Sequence, residues 1–467
     1  MADADIALMA HLARRAGFGA TRDELEEYAS KGYETVVEEL LHPERFPEIE
    51  DDLVGRFYLG AILDGAIETE SQQWFYRMVN TRRPLQEKIA LFWHHVFATA
   101  WYKSEQNPDM VRQIHMFRRN GLSHMRTILM ELSRDPMMID WLDNQENHKE
   151  EPNENYGREL LELFSMGVGN YSEDDIKSAA SAFSGWSFNQ PIPGYPYGQH
   201  HASFVYREDD HDDRIKTFLG QEGRFNGDDI IDIVARQPAT ARFIARHLYN
   251  FFVADEPQVP AWNQMPPQDP EAIDTLVDAY FESDGEVRSI LGVLFRSDFF
   301  KEARFRRVKC PAEFVAGTVK LAGAHRYPDP GLEALSGAST LMGQQLLNPP
   351  SVGGWQTGRE WIDGGILVAR VNFAVGQLSD ASGPGVEDIV SRLRAEGSSL
   401  SPEEFVDRCL DLVGPLVVGS ETRDSLVKSA RKGGELTLDG EADADDTPTR
   451  VMRMLQLIVA SREYQFA

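Results

Sequence analysis

Apolar residues recur at intervals of three and four through most of this chain, a period that admits helices and little else. The clearest run is Leu85, Ile89, Phe92 and Val96, one face of a segment opened by Pro84. A second run, Pro152 to Gly167, separates at about 100° per residue into two faces. Tyr156, Leu160, Leu161, Leu163 and Phe164 share one arc, and Glu154, Asn155, Arg158, Glu159 and Glu162 share the other. Pro152 suits the entry to such a helix and Gly167 the position just past its end. Glu154, Arg158 and Glu162 follow one another at spacings of four, so ion pairs can form along the face. Thr21 precedes Glu24 by three and Ser172 precedes Asp175 by three, which are capping-box signals. The expected fold is mainly α: a large multi-helix domain.

The period changes once. Residues 189–201 are rich in Pro, Gly and Tyr. Ser203 to Arg207 then alternates like a strand, and Ile215 to Leu219 makes a second. A small β-hairpin insertion near 187–222 follows, with Glu208 to Asp213 as its acidic tip. That tip is no EF-hand, because Gly220 stands where a calcium loop counted from Asp209 needs glutamate. The chain of 467 residues is read as a helical core over 1–380 carrying this insertion. A C-terminal helical segment, 381–467, is expected to pack on the core and to hold an acidic flexible loop at 433–447. Asn348 to Trp361 is dense in Gly and Trp and cannot be regular helix; such irregular segments are often functional.

A formal charge of −28 argues against a nucleic-acid binder, which needs a basic patch, and against anionic membranes. No apolar stretch reaches the length of a membrane span, so no membrane insertion is expected. Cys310 and Cys409 are too few for a disulfide framework and are read as reduced, partly buried thiols. No basic region followed by an apolar run opens the chain, so a cytoplasmic location is expected.

The candidate chemistry is carboxylate and imidazole. Glu159, Glu162 and His94 are the candidate catalytic groups, since carboxylates and histidines supply the bases that hydrolysis needs. His94, His211 and Asp212 are the candidate ligands for a divalent metal. Asn155, Lys216 and Trp355 are candidate binding residues. His94 and His95 are adjacent on a helix and point about 100° apart, so they are poorly placed to share one ion. A histidine satisfied by a backbone group is the plainer reading of either. For the polar face of 152–167, a solvated, salt-bridged surface is the plainer reading. Asn153, Asn155, Arg158 and Asp143 could also serve only to satisfy backbone groups. There is no His-Glu-x-x-His, no nucleophile elbow and no Walker loop.

Several motifs together resemble a bacterial family known as domain of unknown function 1800. They are His11 to Thr21, Lys88 to His94, Trp141 to Asn144, Pro152 to Trp186, and His211-Asp212 with Lys216 to Gly220. Pro238 to Val253, Met342 to Trp355 and Ser461 to Gln465 complete the set. Two positions depart from the family pattern. The family shows His-Asn-His where this chain has His94-His95-Val96, and serine where it has Cys310, which argues against Cys310 as a required nucleophile. The resemblance implies a partner protein of phosphatase- or sulfatase-like type and an exported location in many relatives. Two functions therefore stay open: an enzyme with a polar or metal-binding pocket for hydrolytic chemistry, or a non-catalytic binding or assembly protein acting with a partner protein or a glycan. Trp355 and the Tyr195-Pro196-Tyr197 insertion would form the surface for the second.

Overall fold

A computed structural model describes residues 3–50, 53–57, 67–104, 107–190, 201–329, 331–438 and 446–467. Helices dominate it. The sheets among the described residues are three two-stranded antiparallel ribbons. The mainly α reading is borne out.

The Pro84–Val96 helix is the axis of the core. Its expected apolar face is buried, but so is nearly all of its circumference: Leu91, Trp93, Lys88 and Glu87 are as inaccessible as Leu85 and Ile89. The Ile67–Asn80 and Asn107–Asn120 helices pack against it. On another side Phe92 meets Phe251 and Phe252 of the Pro238–Phe252 helix, with ring centroids 5.2 and 6.0 Å apart. Burying each such ring stabilises the fold by roughly 1.5–3 kcal/mol. A helix buried all round must pair its charges internally. Glu87 does so with Arg118 at 2.9 Å and with the Trp74 indole at 2.9 Å.

The Asn155–Glu162 helix is shorter than its sequence signals suggest. Its entry is set by asparagines. Asn147 Oδ1 accepts the Asn153 N–H at 2.9 Å, and Asn153 Oδ1 accepts the Asn155 N–H at 3.0 Å. Asn147 also donates to the Ala180 carbonyl at 2.8 Å, and Asn144 donates to the Trp186 carbonyl at 2.9 Å. These amides fasten the 143–153 loop to the Glu173–Ala182 helix and the strand that follows it. Gly157 lets the two helices touch: a Cβ there would lie 3.0 Å from the Ala180 backbone nitrogen. Gly167 takes φ +76° but lies beyond the Leu163 cap, so the helix ends earlier than that glycine suggests. Arg158 bridges Glu154 at 3.0 Å and Glu173 at 3.0 Å. The pairing expected between Arg158 and Glu162 gives way to this contact with the neighbouring helix. Both capping boxes, Thr21 with Glu24 and Ser172 with Asp175, are present.

The β insertion exists but pairs differently from the expected hairpin. β1 (Trp186–Asn189) pairs with β2 (Ser203–Tyr206), and β3 (Lys216–Phe218) pairs with β4 (Gln221–Gly223). The acidic stretch between β2 and β3 cannot act as a free tip because it is fastened elsewhere. Asp210 accepts from His148 Nδ1 at 2.6 Å, and the Asp209 carbonyl accepts from Lys149 at 2.7 Å. The true tight turn is Leu219-Gly220, both at positive φ (46° and 77°), with the Leu219 N–H held by Asp175 at 2.7 Å. Tyr195-Pro196-Tyr197 lies outside the described residues.

The C-terminal helices pair with the second helix, Arg22–Lys31. Arg392, on the Pro384–Glu396 helix, pairs with Asp23 and, at 3.0 Å, with Glu26. Arg22 reaches Asp411 at 2.9 Å. Leu436–Thr437, inside the loop expected to be flexible, pairs as a strand with Ser399–Leu400. Residues 439–445 lie outside the described residues.

Candidate functional site

The residues singled out from sequence fall in three places. Glu159 and Glu162 sit half-buried on one helix. Glu162 accepts from the Tyr171 hydroxyl at 3.3 Å. Burial and the neighbouring Glu162 push the Glu159 carboxyl up to about 7, against the pull of Arg158. Asn155, on the same helix, is exposed.

His94 is fully buried. Its Nε2 accepts the Leu347 N–H at 3.1 Å, and its ring lies 5.7 Å from Trp74 and 5.2 Å from Trp355. Burial and His95 push it down to about 3. His94 and Trp355 are thus brought together: the histidine anchors the loop that carries the tryptophan.

His211, Asp212 and Lys216 form the third group. His211 Nδ1 bonds the Ser184 carbonyl at 3.0 Å. Both Asp212 oxygens take Arg214, at 2.9 and 2.8 Å, and the Lys216 ammonium donates to the Asp212 carbonyl. Among the described residues no hydrogen bond, ion pair or ring contact joins these three places. Nor do three His, Cys, Asp or Glu side chains converge there as a metal site would require. His94 Nε2, His211 Nδ1 and the Asp212 carboxylate are engaged separately, and the buried His94 Nδ1 has no hydrogen-bond partner.

The densest charge lies elsewhere, where the first helix, the Pro84–Val96 helix and the Pro311–Ala322 helix meet. Glu313 is buried at its centre. One oxygen accepts from Lys88; the other accepts from Arg307 at 2.5 Å and from the Cys310 N–H at 2.8 Å. Arg15 approaches it at 3.8 Å. Burial opposes ionisation of Glu313, but Arg307, Lys88 and Arg15 outweigh it and hold the carboxyl well below its ordinary range. Other donors go to carbonyls, though the buried Arg15 Nη1 has no hydrogen-bond partner. Lys88 donates to Gly17 at 2.8 Å, Arg15 to Phe252 at 3.0 Å, and Arg307 to Asn250 at 3.1 Å. Burial pushes the Cys310 thiol up to about 12, which removes it as a nucleophile at neutral pH.

A second tier of cations surrounds the first. Arg370 is buried and donates to Gln465 at 2.7 Å and to the Lys309 carbonyl at 3.0 Å. Arg14 donates to the Gly414 carbonyl at 2.7 Å and lies 4.8 Å over the Phe305 ring. Its buried Nε has no partner. Lys309 donates to the Tyr464 carbonyl at 2.8 Å. Burial, then Arg14, Arg370 and Lys88, hold the Lys309 ammonium well below its ordinary range, with Glu313 pulling the other way. Among the described residues neither Arg14, Lys309 nor Arg370 has a carboxylate within ion-pair distance. Cations therefore outnumber carboxylates here, inside a protein of net charge −28.

Arg14, Lys309 and Glu313 line a cavity of about 250 Å³. Its apolar wall includes Phe18 and Ile389, and Thr21 and Ala20 stand on the turn after the first helix. Asp23, Asp388 and Lys320 also line it, but they are spent in ion pairs with Arg392 and Glu24. Among the described lining residues, Arg14, Lys309 and the exposed Arg326 have no ion pair. A cavity of this size suits a small molecule, fixed by a few convergent polar groups.

Sequence reasoning passed over this cluster as chemistry, although Arg14, Arg15, Lys88, Tyr464 and Gln465 all lie within motifs it quoted. The readable signal was Lys88, a lysine three residues from Leu85 on a face otherwise apolar.

The family described as "Protein of unknown function (DUF1800)" matches residues 11–466. Comparison with curated proteins and with solved structures finds no match. No helix among the described residues is long and apolar enough to cross a membrane.

Proposed function

Since the chain belongs to the DUF1800 family, whose function is unknown, we propose its role from the site alone: it is a binding protein that takes a small polar molecule into the cavity beneath the first helix. The observation that carries this is the cavity lining, where Arg14 and Lys309 present hydrogen-bond donors with no protein carboxylate within ion-pair distance among the described residues. Buried polar groups are costly unless paired, so a site of this kind is built for a ligand that completes it. Glu313, on the cavity wall, is saturated by its cations, and Cys310, which does not line the cavity, is held as a thiol. The test is a thermal-shift screen with neutral and charged small molecules, run on the wild type and on Ala20→Trp, which fills the cavity mouth. Ligands that raise the melting temperature of the wild type and not of Ala20→Trp support the reading. Shifts that survive the filled cavity, or none with any compound, refute it.

A second reading rests on Glu159. A carboxyl poised near neutrality beside a second carboxyl has the form of a general acid, and with Glu162 it would serve hydrolytic chemistry. An ester and glycoside substrate panel decides this one: turnover must follow a titration near pH 7 and vanish in Glu159→Gln. The partner protein implied by the resemblance is tested by pull-down from the native host; Trp355 is buried against His94 and His95 and so offers no surface for it.

A further inference from the structure

We propose that the ligand of the cavity is a small anion, a carboxylate or phosphate group bridged by Arg14 and Lys309. This rests on the cavity reading above and sharpens it to a ligand class.

The argument is geometric. Arg14 projects from the end of the first helix, and Lys309 from the segment that leads into the Pro311–Ala322 helix, and both line one cavity. Each has a single hydrogen bond to a carbonyl, leaving donors free: Arg14 keeps a buried Nε without a partner, and an ammonium has three donors. An oxyanion accepts from both at once, which neither a carbonyl nor a hydroxyl does as strongly. The groups behind the floor add to the attraction. Arg370 and Lys88 face Lys309 from two other helices with the same sign, and the one opposing carboxylate, Glu313, already carries three cations. Tyr464, beneath the Lys309 ammonium at 4.1 Å, gives the cation an aromatic face and no negative charge. The lining also includes the apolar side chains of Phe18, Leu25 and Ile389, which suit an anion that carries a short hydrocarbon part.

The unfavourable crowding of cations also gives the proposal a signature that a purely structural role lacks. Removing one of them should leave the empty protein at least as stable while weakening the anion.

The experiment is isothermal titration of the full chain with inorganic phosphate, with succinate and with the neutral diamide of succinate, at low salt. Either anion is expected to bind, and the diamide not to. Arg14→Gln and Lys309→Gln are each expected to weaken the anion at least about tenfold, with the melting temperature of the ligand-free protein unchanged or raised. Equal binding of the diamide, or anion binding unchanged in both variants, overturns the proposal. Absence of binding by both anions also overturns it. A neutral compound displaced by Ala20→Trp would then leave the cavity reading standing. Two variants that lose stability along with affinity would show that the cations serve the fold.

Discussion

Replacing Glu313 by glutamine keeps the size of the side chain and one acceptor for the Cys310 N–H, but removes the single charge shared by Lys88, Arg307 and Arg15. All four side chains are buried. Breaking a buried ion pair by deleting one partner costs about 3–5 kcal/mol, most of it from the charge left behind. With an unfolding entropy of about 2.1 cal/mol/K per residue, a chain of 467 residues loses ~1 °C per kcal/mol. Glu313→Gln should therefore lower the melting temperature by roughly 3–5 °C at neutral pH, read by circular dichroism. The pH dependence fixes the cause. The folded pKa of Glu313 is depressed, so its contribution is complete above the unfolded carboxylate value of about 4.3 and is lost as pH falls through the folded value. The gap between wild type and variant should thus be constant from pH 8 to about 5 and close only in strong acid. A gap below about 1 °C at pH 7, or one unchanged by acid, would refute the view that Glu313 holds this junction by its charge.

Three buried histidines, His11, His94 and His247, are each pushed down to about 3, chiefly by burial. The unfolded chain binds more protons than the folded one below pH ~6.5, so urea midpoints should fall on acidification, by up to ~1.4 kcal/mol per pH unit for each histidine. A flat profile between pH 6.5 and 4.5 would contradict their neutrality. Substituting His94 by phenylalanine leaves the buried Leu347 N–H without its acceptor and should cost about 1–3 kcal/mol in denaturant; no loss would mean the loop anchors elsewhere. Gly157→Ala gains helix propensity but forces the Glu173–Ala182 helix away, for a net loss of about 1–2 kcal/mol; a gain in stability would show that the helices have slack. Arg392→Ala, by contrast, removes a partly exposed pairing with Asp23, Glu26 and Asp388 and should change stability by less than about 1 kcal/mol.

The helical fold was legible because its cause is local. Leu85, Ile89, Phe92 and Val96 announce a buried face, and Thr21 with Glu24 announces a helix start, from spacings a reader can count. Strand pairing was less so. Ser203 to Tyr206 reads as a strand, but its partner Trp186–Asn189 lies before a long Pro- and Gly-rich segment, and no local pattern says which strand it joins. The cavity was the least legible, for the same reason enlarged. Lys88 and Glu313 stand 225 positions apart, and Arg14 meets Gly414 across 400. Each motif carries one or two charges that look ordinary alone. The polar face of Asn155–Glu162 attracted attention because its charges are neighbours in sequence, and that same adjacency lets them satisfy one another at the surface, as Arg158 does with Glu154.

The account turns on whether the space between Arg14 and Lys309 holds an anion. A crystal structure of the protein grown with succinate, in a medium free of sulfate and phosphate, measures this most directly. The expected result is density for a carboxylate within hydrogen-bond distance of both the Arg14 guanidinium and the Lys309 ammonium. A cavity holding only water, or a protein carboxylate swung in to pair with either cation, would contradict it.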